Sequence, residues 1–251
     1  MVYEVEFRSG PNGIYIYVPK GRAVSPGLLL LHGSEGGWSG WSAWHALAFA
    51  MYGFVTVALP YSKGGNGWHA GDIHDVDLDA TARALDGLRA YDAVAGSKVG
   101  LFGVSRGAEH ALLLASLMAR DGVAGQPDAV AAHAPSDVIC GAFVAGAYHP
   151  TQREASDPSW RAWRWRGSSD GLEPTRPIEI ERYDGPLFLS HGEADPVWTV
   201  DCTRRLERRL REAGRTPEVH LYPGEGHNFR AETRNLQHER LIAFFRRHLE
   251  A

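Results

Sequence analysis

Cysteine is scarce in this chain: two residues, Cys140 and Cys202, stand far apart, without the spacing of a metal site or a disulfide framework. Neither a zinc domain nor a disulfide-stapled fold is predicted, and free thiols in a reducing compartment are the expectation. Long apolar runs are missing too. No stretch approaches the ~18 apolar residues that a bilayer span requires. The opening Met1-Val2-Tyr3-Glu4-Val5-Glu6 has no basic segment followed by an apolar one, so no export signal is expected. Positive charge is not in excess either, and a formal net charge of -4 argues against nucleic acid as a partner. Internal repeats and low-complexity segments are absent. What remains is 251 residues, 44% hydrophobic and 22% charged, the composition of a globular protein with a large core. A soluble, cytoplasmic protein is expected.

The periodicity predicts strands alternating with helices. Val2 to Arg8 and Gly13 to Lys20 form a hairpin around the Ser9-Gly10-Pro11-Asn12-Gly13 turn, and Leu28 to Leu31 reads as a strand buried on both faces. Trp41 to Met51 has helical spacing, Phe54 to Leu59 is a strand, and the glycine-rich stretch 60–71 is a loop. A helix is predicted over Asp72 to Val94, with Asp72, Asp75, Asp77 and Asp79 in its first turns as a solvated, dipole-favoured start. Strands follow at Val99 to Gly103, Ala129 to Ala134, Pro186 to Gly192 and Glu218 to Tyr222. The helix Ala108 to Ala119 is apolar almost all round, and Leu241, Ile242, Phe245 and Leu249 stripe a last one. From Ile139 to Asp184 periodicity weakens while Phe143, Tyr148, Trp160, Trp163 and Trp165 accumulate, which predicts a cap insertion within a single domain spanning 1–251. The alternation implies an α/β fold: a mainly parallel sheet covered on both faces, with chemistry at the carboxyl ends of its strands.

One stretch carries a chemical signal. In Val99 to Ala115 an apolar strand runs into Gly103-Val104-Ser105-Arg106-Gly107 and then into a helix. Glycines on both sides allow a serine to occupy a strained strand-to-helix corner with its hydroxyl clear of the sheet, and the helix N-terminus favours the negative charge formed on carbonyl attack. An alcohol is a poor nucleophile at neutral pH, so Ser105 needs a base, and the base needs an orienting acceptor. Asp195, after a later strand, and His227, in the glycine-flanked loop after the last strand, stand where nucleophile-acid-histidine order puts them. Asp201 and Asp137 are weaker rivals for the acid. His191 and His220 in strands, and His238 and His248 on the last helix, are assigned to packing or solvent. Oxyanion N–H donors are expected from Arg106 and from the loop after Leu31, with Ser34 the first choice and Glu35 the second. The Arg106 side chain either forms an ion pair, with Glu35 or Glu179, or holds an anionic substrate group. No metal or cofactor is called for. The basic helix after Pro196 is interrupted by Glu207 and Glu212 and reads as a solvated face.

The motifs His32-Gly33, Gly103 to Ala108, Glu179 to Trp198 and Tyr222 to His227 make residues 26–250 resemble the α/β-hydrolase superfamily. Within it the chain is similar to the dienelactone-hydrolase branch and to the C-terminal domain of acyl-CoA thioesterases and bile-acid-CoA:amino-acid acyltransferases. The resemblance implies an eight-stranded, mainly parallel sheet with helices on both faces and a small cap at 139–184. It also carries over Ser105, Asp195 and His227 as the triad, although dienelactone hydrolases proper use cysteine at the nucleophile position. The expected activity is cofactor-free hydrolysis of a small-molecule carboxylic ester or thioester through an acyl-enzyme. Lactone or amide hydrolysis by the same triad, and a non-catalytic binding role, are the alternatives. Trp38, Trp160, Trp163, Trp165 and Trp198 are the expected substrate-pocket aromatics, with packing within the cap as their competing role. No stretch points to an oligomeric interface.

Overall fold

The computed structural model describes residues 1–10, 13–145, 152–154 and 159–250. Pro11 and Asn12 of the predicted turn, and Tyr148 among the insertion aromatics, lie outside the described residues. Among the described residues twelve strands occur in chain order. They are β1 Val5–Ser9, β2 Tyr15–Pro19, β3 Gly27–Leu31, β4 Val55–Leu59, β5 Val76–Asp77 and β6 Val99–Val104, then β7 Ala129–His133, β8 Phe143–Ala145, β9 Gln152–Glu154, β10 Trp163–Arg164, β11 Leu187–Gly192 and β12 Glu218–Tyr222. The helices are α1 Gly40–Met51, α2 Leu78–Arg89, α3 Arg106–Arg120, α4 Asp201–Glu212 and α5 Ala231–Leu249. Eight strands form one sheet in the order β1-β2-β4-β3-β6-β7-β11-β12. The β1/β2 and β2/β4 pairs are antiparallel, and the remaining pairs run parallel.

Strand alternation divides the core in two. In β3, Leu29 and Leu31 face a cluster that includes Leu85 of α2, Leu112 of α3 and Leu206 of α4. Leu28 and Leu30 face the opposite cluster with Phe49 of α1 and Phe245 of α5. All five β3 residues are buried, as are all six of β6. This is why those strands read as continuous aliphatic runs: a strand covered on both faces has no solvent side on which to place polar residues.

The helix predicted to begin at Asp72 begins at Leu78. Before it the chain is pinned in other ways: Asp72 and Lys63 bridge, Ile73 pairs with Phe143, and β5 lies parallel to β10. The acids that suggested a helical first turn have separate employment. Asp75 has a left-handed φ of 52° and pairs with Lys63 and Arg164. The Asp77 side chain caps α2 by accepting the Asp79 N–H, and Asp79 accepts the Arg166 N–H at 2.6 Å. Helix-favouring charge was thus spent on a cap and on docking the 139–184 stretch.

That stretch rests on α3 through tryptophan and acid. Trp163 Nε1 donates to Glu109 Oε1 at 2.7 Å, and Trp165 Nε1 donates to Asp121 Oδ2 at 2.7 Å. Trp163 is 0% and Trp165 5% exposed. Both were expected to line a substrate pocket, and the structure corrects this: they pack into the main core with their only polar atoms satisfied.

Candidate active site

Ser105 sits between the end of β6 and the start of α3 with φ 53° and ψ -120°, a backbone conformation costly for any residue with a Cβ. The neighbouring glycines make the corner possible. A Cβ on Gly103 would overlap the Gly107 carbonyl, and one on Gly107 would overlap the Leu31 and His32 carbonyls of the adjacent strand end. The Ser105 N–H is anchored on the His133 carbonyl at 2.8 Å, which ties the corner to β7. Gly33, at the end of β3, comes close enough that a Cβ there would lie 3.1 Å from Ser105 Cβ. Arg106 opens α3, so its backbone N–H has no carbonyl a turn earlier to bond.

Two further loops converge at the same end of the sheet. The end of β11 presses so tightly on the loop after β12 that a Cβ on Gly192 would overlap the Glu225 and Gly226 carbonyls. Glu193 N–H bonds the Tyr222 carbonyl at 3.0 Å and Ala194 N–H the Glu225 carbonyl at 2.8 Å. This stitching sets Asp195 Oδ2 2.7 Å from His227 Nδ1. Asp195 Oδ1 accepts the N–H groups of Val197 at 2.8 Å and Trp198 at 3.1 Å. Burial works to raise the Asp195 carboxyl, but hydrogen bonds from His191 and His227 outweigh it and hold the group well below the usual carboxylate range. The His227 loop is itself fastened by buried Glu225, which accepts from Arg230 N–H, Arg230 Nε and Thr233 Oγ1 at the start of α5. Among the described residues no hydrogen bond joins Ser105 to His227 in this state; such bonds commonly tighten only with substrate present.

The loop after β3 carries Ser34 and Glu35. Glu35 Oε1 accepts the Gly33 N–H at 2.9 Å. Burial pushes the Glu35 carboxyl up, against the pull of neighbouring backbone N–H groups and of His227. His32, buried beneath, stacks on Tyr61 with ring centroids 4.0 Å apart, and Tyr61 Oη donates to the His32 carbonyl at 2.9 Å.

The rival acids are engaged elsewhere. Asp137 is held bidentate by Arg205 at 2.7 and 2.8 Å, and Asp201 pairs with Arg204 on the surface of α4. The α4 arginines are paired with acids throughout: Arg209 with Glu181, Arg211 with Glu207, and Arg208 with Glu212. The Arg106 side chain was expected either to pair with Glu35 or Glu179 or to hold an anionic substrate group. It instead lies 2.8 Å from Glu109 Oε2, one helical turn on, and both are buried at 1% and 0% exposure. Its Nη2 donates to the Gly141 carbonyl at 2.9 Å, and the guanidinium packs over Phe143 at 4.5 Å and Trp163 at 5.2 Å. The Arg106 Nη1 to Glu109 Oε2 approach is close but off the hydrogen-bond angle, so these two atoms, like Arg106 Nε, have no hydrogen bond among the described residues. Glu109 Oε1, by contrast, takes both Trp163 Nε1 and the Cys140 N–H.

Of the expected pocket tryptophans, Trp198 is near the Asp195–His227 pair, edge-on to the His227 ring at 6.3 Å. Trp38 is 52% exposed on the loop after β3, and Trp160 is 39% exposed and stacked on His74. His191 was assigned to packing, yet its Nε2 lies 3.1 Å from Asp195 Oδ2. The sequence did contain a signal for it: a histidine at the end of a buried strand, one helical turn before the candidate acid. No group of three or more metal-ligating side chains occurs among the described residues, and no helix there is long and apolar enough to cross a membrane.

Comparison with known proteins places these features in a lineage. Residues 76–233 match the family model described as BAAT / Acyl-CoA thioester hydrolase C terminal. Acyl-coenzyme A thioesterase 6 of Mus musculus is 27% identical over 243 residues, covering 90% of this chain and 54% of the mouse protein. Acyl-coenzyme A amino acid N-acyltransferase 2 of Rattus norvegicus is 26% identical over 237 residues, covering 88% of this chain and 53% of the rat protein. The chain thus spans about half the length of the curated relatives it matches. Among solved structures, a putative dienelactone hydrolase from Klebsiella pneumoniae superposes with a TM-score of 0.68 at 16% identity, covering 98% of this chain and 99% of that one. That likeness shows the α/β-hydrolase fold, and the family model, matching more than half of the sequence, shows that the chain belongs to the BAAT / acyl-CoA thioester hydrolase C-terminal family.

Proposed function

We propose that the protein is a serine hydrolase that cleaves a carboxylic ester or thioester of a small molecule through an acyl-enzyme. The observation that carries the reading is the 2.7 Å bond between Asp195 and His227, formed by loops at the same sheet end as the left-handed corner bearing Ser105. His227 takes the Ser105 proton as the hydroxyl attacks the acyl carbon. Asp195 holds the imidazole in the Nδ1–H tautomer and stabilises its cation. The tetrahedral oxyanion is received by the Arg106 N–H at the start of α3 and by an N–H of the loop after β3, with Ser34 the assigned donor and Glu35 the alternate. Its collapse expels the alcohol or thiol, protonated by His227. Water activated by the same histidine then releases the acid. Trp38 and Trp198, on the loops after β3 and β11, and Trp160 of the 139–184 stretch supply apolar contact to the substrate. Residues 1–251 act as one domain, and 139–184 serve as a cap fixed to α3. The thioesterase names of the mouse relatives, and the family description, favour a thioester among the candidate substrates.

The test compares wild type with Ser105→Ala on a short and a long p-nitrophenyl ester and on an acyl-CoA with a thiol trap. Hydrolysis by wild type alone is expected. A folded mutant that retains the activity would overturn the nucleophile assignment.

A further inference from the structure

We infer that His191 is a positioning residue for this reaction, a second imidazole that shares the Asp195 carboxylate with His227 and sets how much of its charge His227 feels. The inference rests on the Ser105, His227 and Asp195 reading above.

The geometry is specific. Asp195 Oδ2 receives His227 Nδ1 at 2.7 Å and His191 Nε2 at 3.1 Å, while Oδ1 is filled by the Val197 and Trp198 N–H groups. His191 and Asp195 side chains are both 0% exposed. The His191 tautomer follows from its surroundings. Nε2 faces two proton-free acceptors, Asp195 Oδ2 and the Trp198 carbonyl at 2.9 Å, so it must carry the hydrogen. Nδ1 lies 2.8 Å from Thr203 Oγ1 on α4, and the threonine hydroxyl donates to it. Helix α4 thereby fixes the tautomer of a strand-end histidine, which in turn donates to the candidate catalytic acid. A ring placed only for packing in this strand would carry no such chain of directed bonds, because each buried polar atom costs free energy unless it is paired.

The consequence for catalysis has a sign. A donor on Oδ2 withdraws charge that would otherwise stabilise the His227 cation, so removing it makes His227 more basic. The other titratable groups facing His227 are Glu35 from the loop after β3, which has no interaction with His191, and His133 from β7, which does. His133 also faces His191 electrostatically, alongside Asp195 and the Thr203 hydroxyl.

The test is the pH profile of kcat/KM on the short p-nitrophenyl ester for wild type, His191→Leu, His191→Gln and Thr203→Val. In His191→Leu the acid limb moves to higher pH by about half a unit, the scale of losing one charge-assisted donor. In His191→Gln the amide N–H replaces Nε2–H and the limb returns to the wild-type position. Thr203→Val, which leaves Nδ1 without its donor and loosens the ring without touching Asp195, moves the limb in the same direction by less and serves if His191→Leu does not fold. Profiles that superimpose on wild type after scaling would overturn the inference while leaving the triad standing. Activity surviving in Ser105→Ala would overturn both, and so separates the two failures.

Discussion

Lowering the pH from 7 to 5 is expected to cost this fold several kcal/mol of stability, and buried histidines are the reason. His32, His110, His133 and His238 are each buried, and burial pushes them down from the ordinary value of 6.5 to about 4, 3, 3 and 4 respectively. Unfolded, each titrates near 6.5, so below that pH the unfolded chain binds more protons than the native one and stability falls as pH falls. Between pH 7 and 5 each such histidine costs about 2 kcal/mol, at about 1.4 kcal/mol per pH unit. Together they cost about 8 kcal/mol, comparable with the ~5–15 kcal/mol that holds an ordinary domain folded. Urea unfolding at half-unit steps of pH measures this directly, as a slope of several protons near pH 5, to which His45, also pushed well down by burial, adds. His110 offers the sharpest control. Both its ring nitrogens are buried with no hydrogen-bond partner among the described residues, and it packs edge-on to Tyr61 at 4.6 Å and tilted against Trp163 at 4.9 Å. His110→Phe keeps an aromatic ring there and lowers the slope by one proton, so that the variant gains on wild type as pH falls. A slope unchanged by the substitution, or stability flat from pH 7 to 5, would refute the reasoning.

Three further outcomes are expected. On the proposed reading Asp195→Asn removes the acceptor that fixes the His227 tautomer, so kcat on the short ester falls by about four orders of magnitude, as loss of a triad acid does elsewhere, and the thermal midpoint falls too, because an amide nitrogen in place of Oδ2 cannot accept the buried His191 and His227 N–H groups. Gly107→Ala forces a methyl onto the Leu31 and His32 carbonyls and destabilises the fold by more than about 3 kcal/mol, visible as a lower urea midpoint or as insoluble protein. Glu109→Leu strands the buried Arg106 guanidinium and costs about 3–5 kcal/mol, read from urea unfolding; a melt unchanged from wild type would show that the pair is not needed to hold the helix and the 139–184 stretch together.

What was legible in the sequence follows the range of the forces involved. The central strands could be read because burial on both faces writes an uninterrupted aliphatic run, as at Leu28 to Leu31. The Ser105 corner could be read because its strain is local: only glycine fits at 103 and 107. Asp195 and His227 stand within bonding distance although 32 positions separate them, because strand order alone brings their loops together. What escaped was the choice among equivalent polar partners. Asp75, Asp77 and Asp79 look like any acidic helix start until the chain reveals that β10 docks there and that the Arg166 N–H, just beyond it, takes Asp79 as an acceptor. Trp163 and Trp165 sit in a segment without periodicity, where pocket and anchor have the same composition. Glu109 was within reach, since Arg106 and Glu109 are spaced one turn apart on a helix already recognised as buried, and a buried charge seeks the nearest opposite one.

Arg106 joins the two halves of this picture. Its backbone N–H follows Ser105 and is the proposed oxyanion donor, while its side chain reaches Glu109, the Gly141 carbonyl and the faces of Phe143 and Trp163. Glu109 in turn receives Trp163 Nε1 and the Cys140 N–H. The 139–184 stretch therefore reaches the first turn of α3, and through it the residue beside Ser105, by paired polar groups that are costly to break singly. A stretch docked by apolar contact alone could slide over α3 at small cost. One docked by a buried guanidinium has a single low-energy seat, and that seat fixes the N–H on which the proposed chemistry depends.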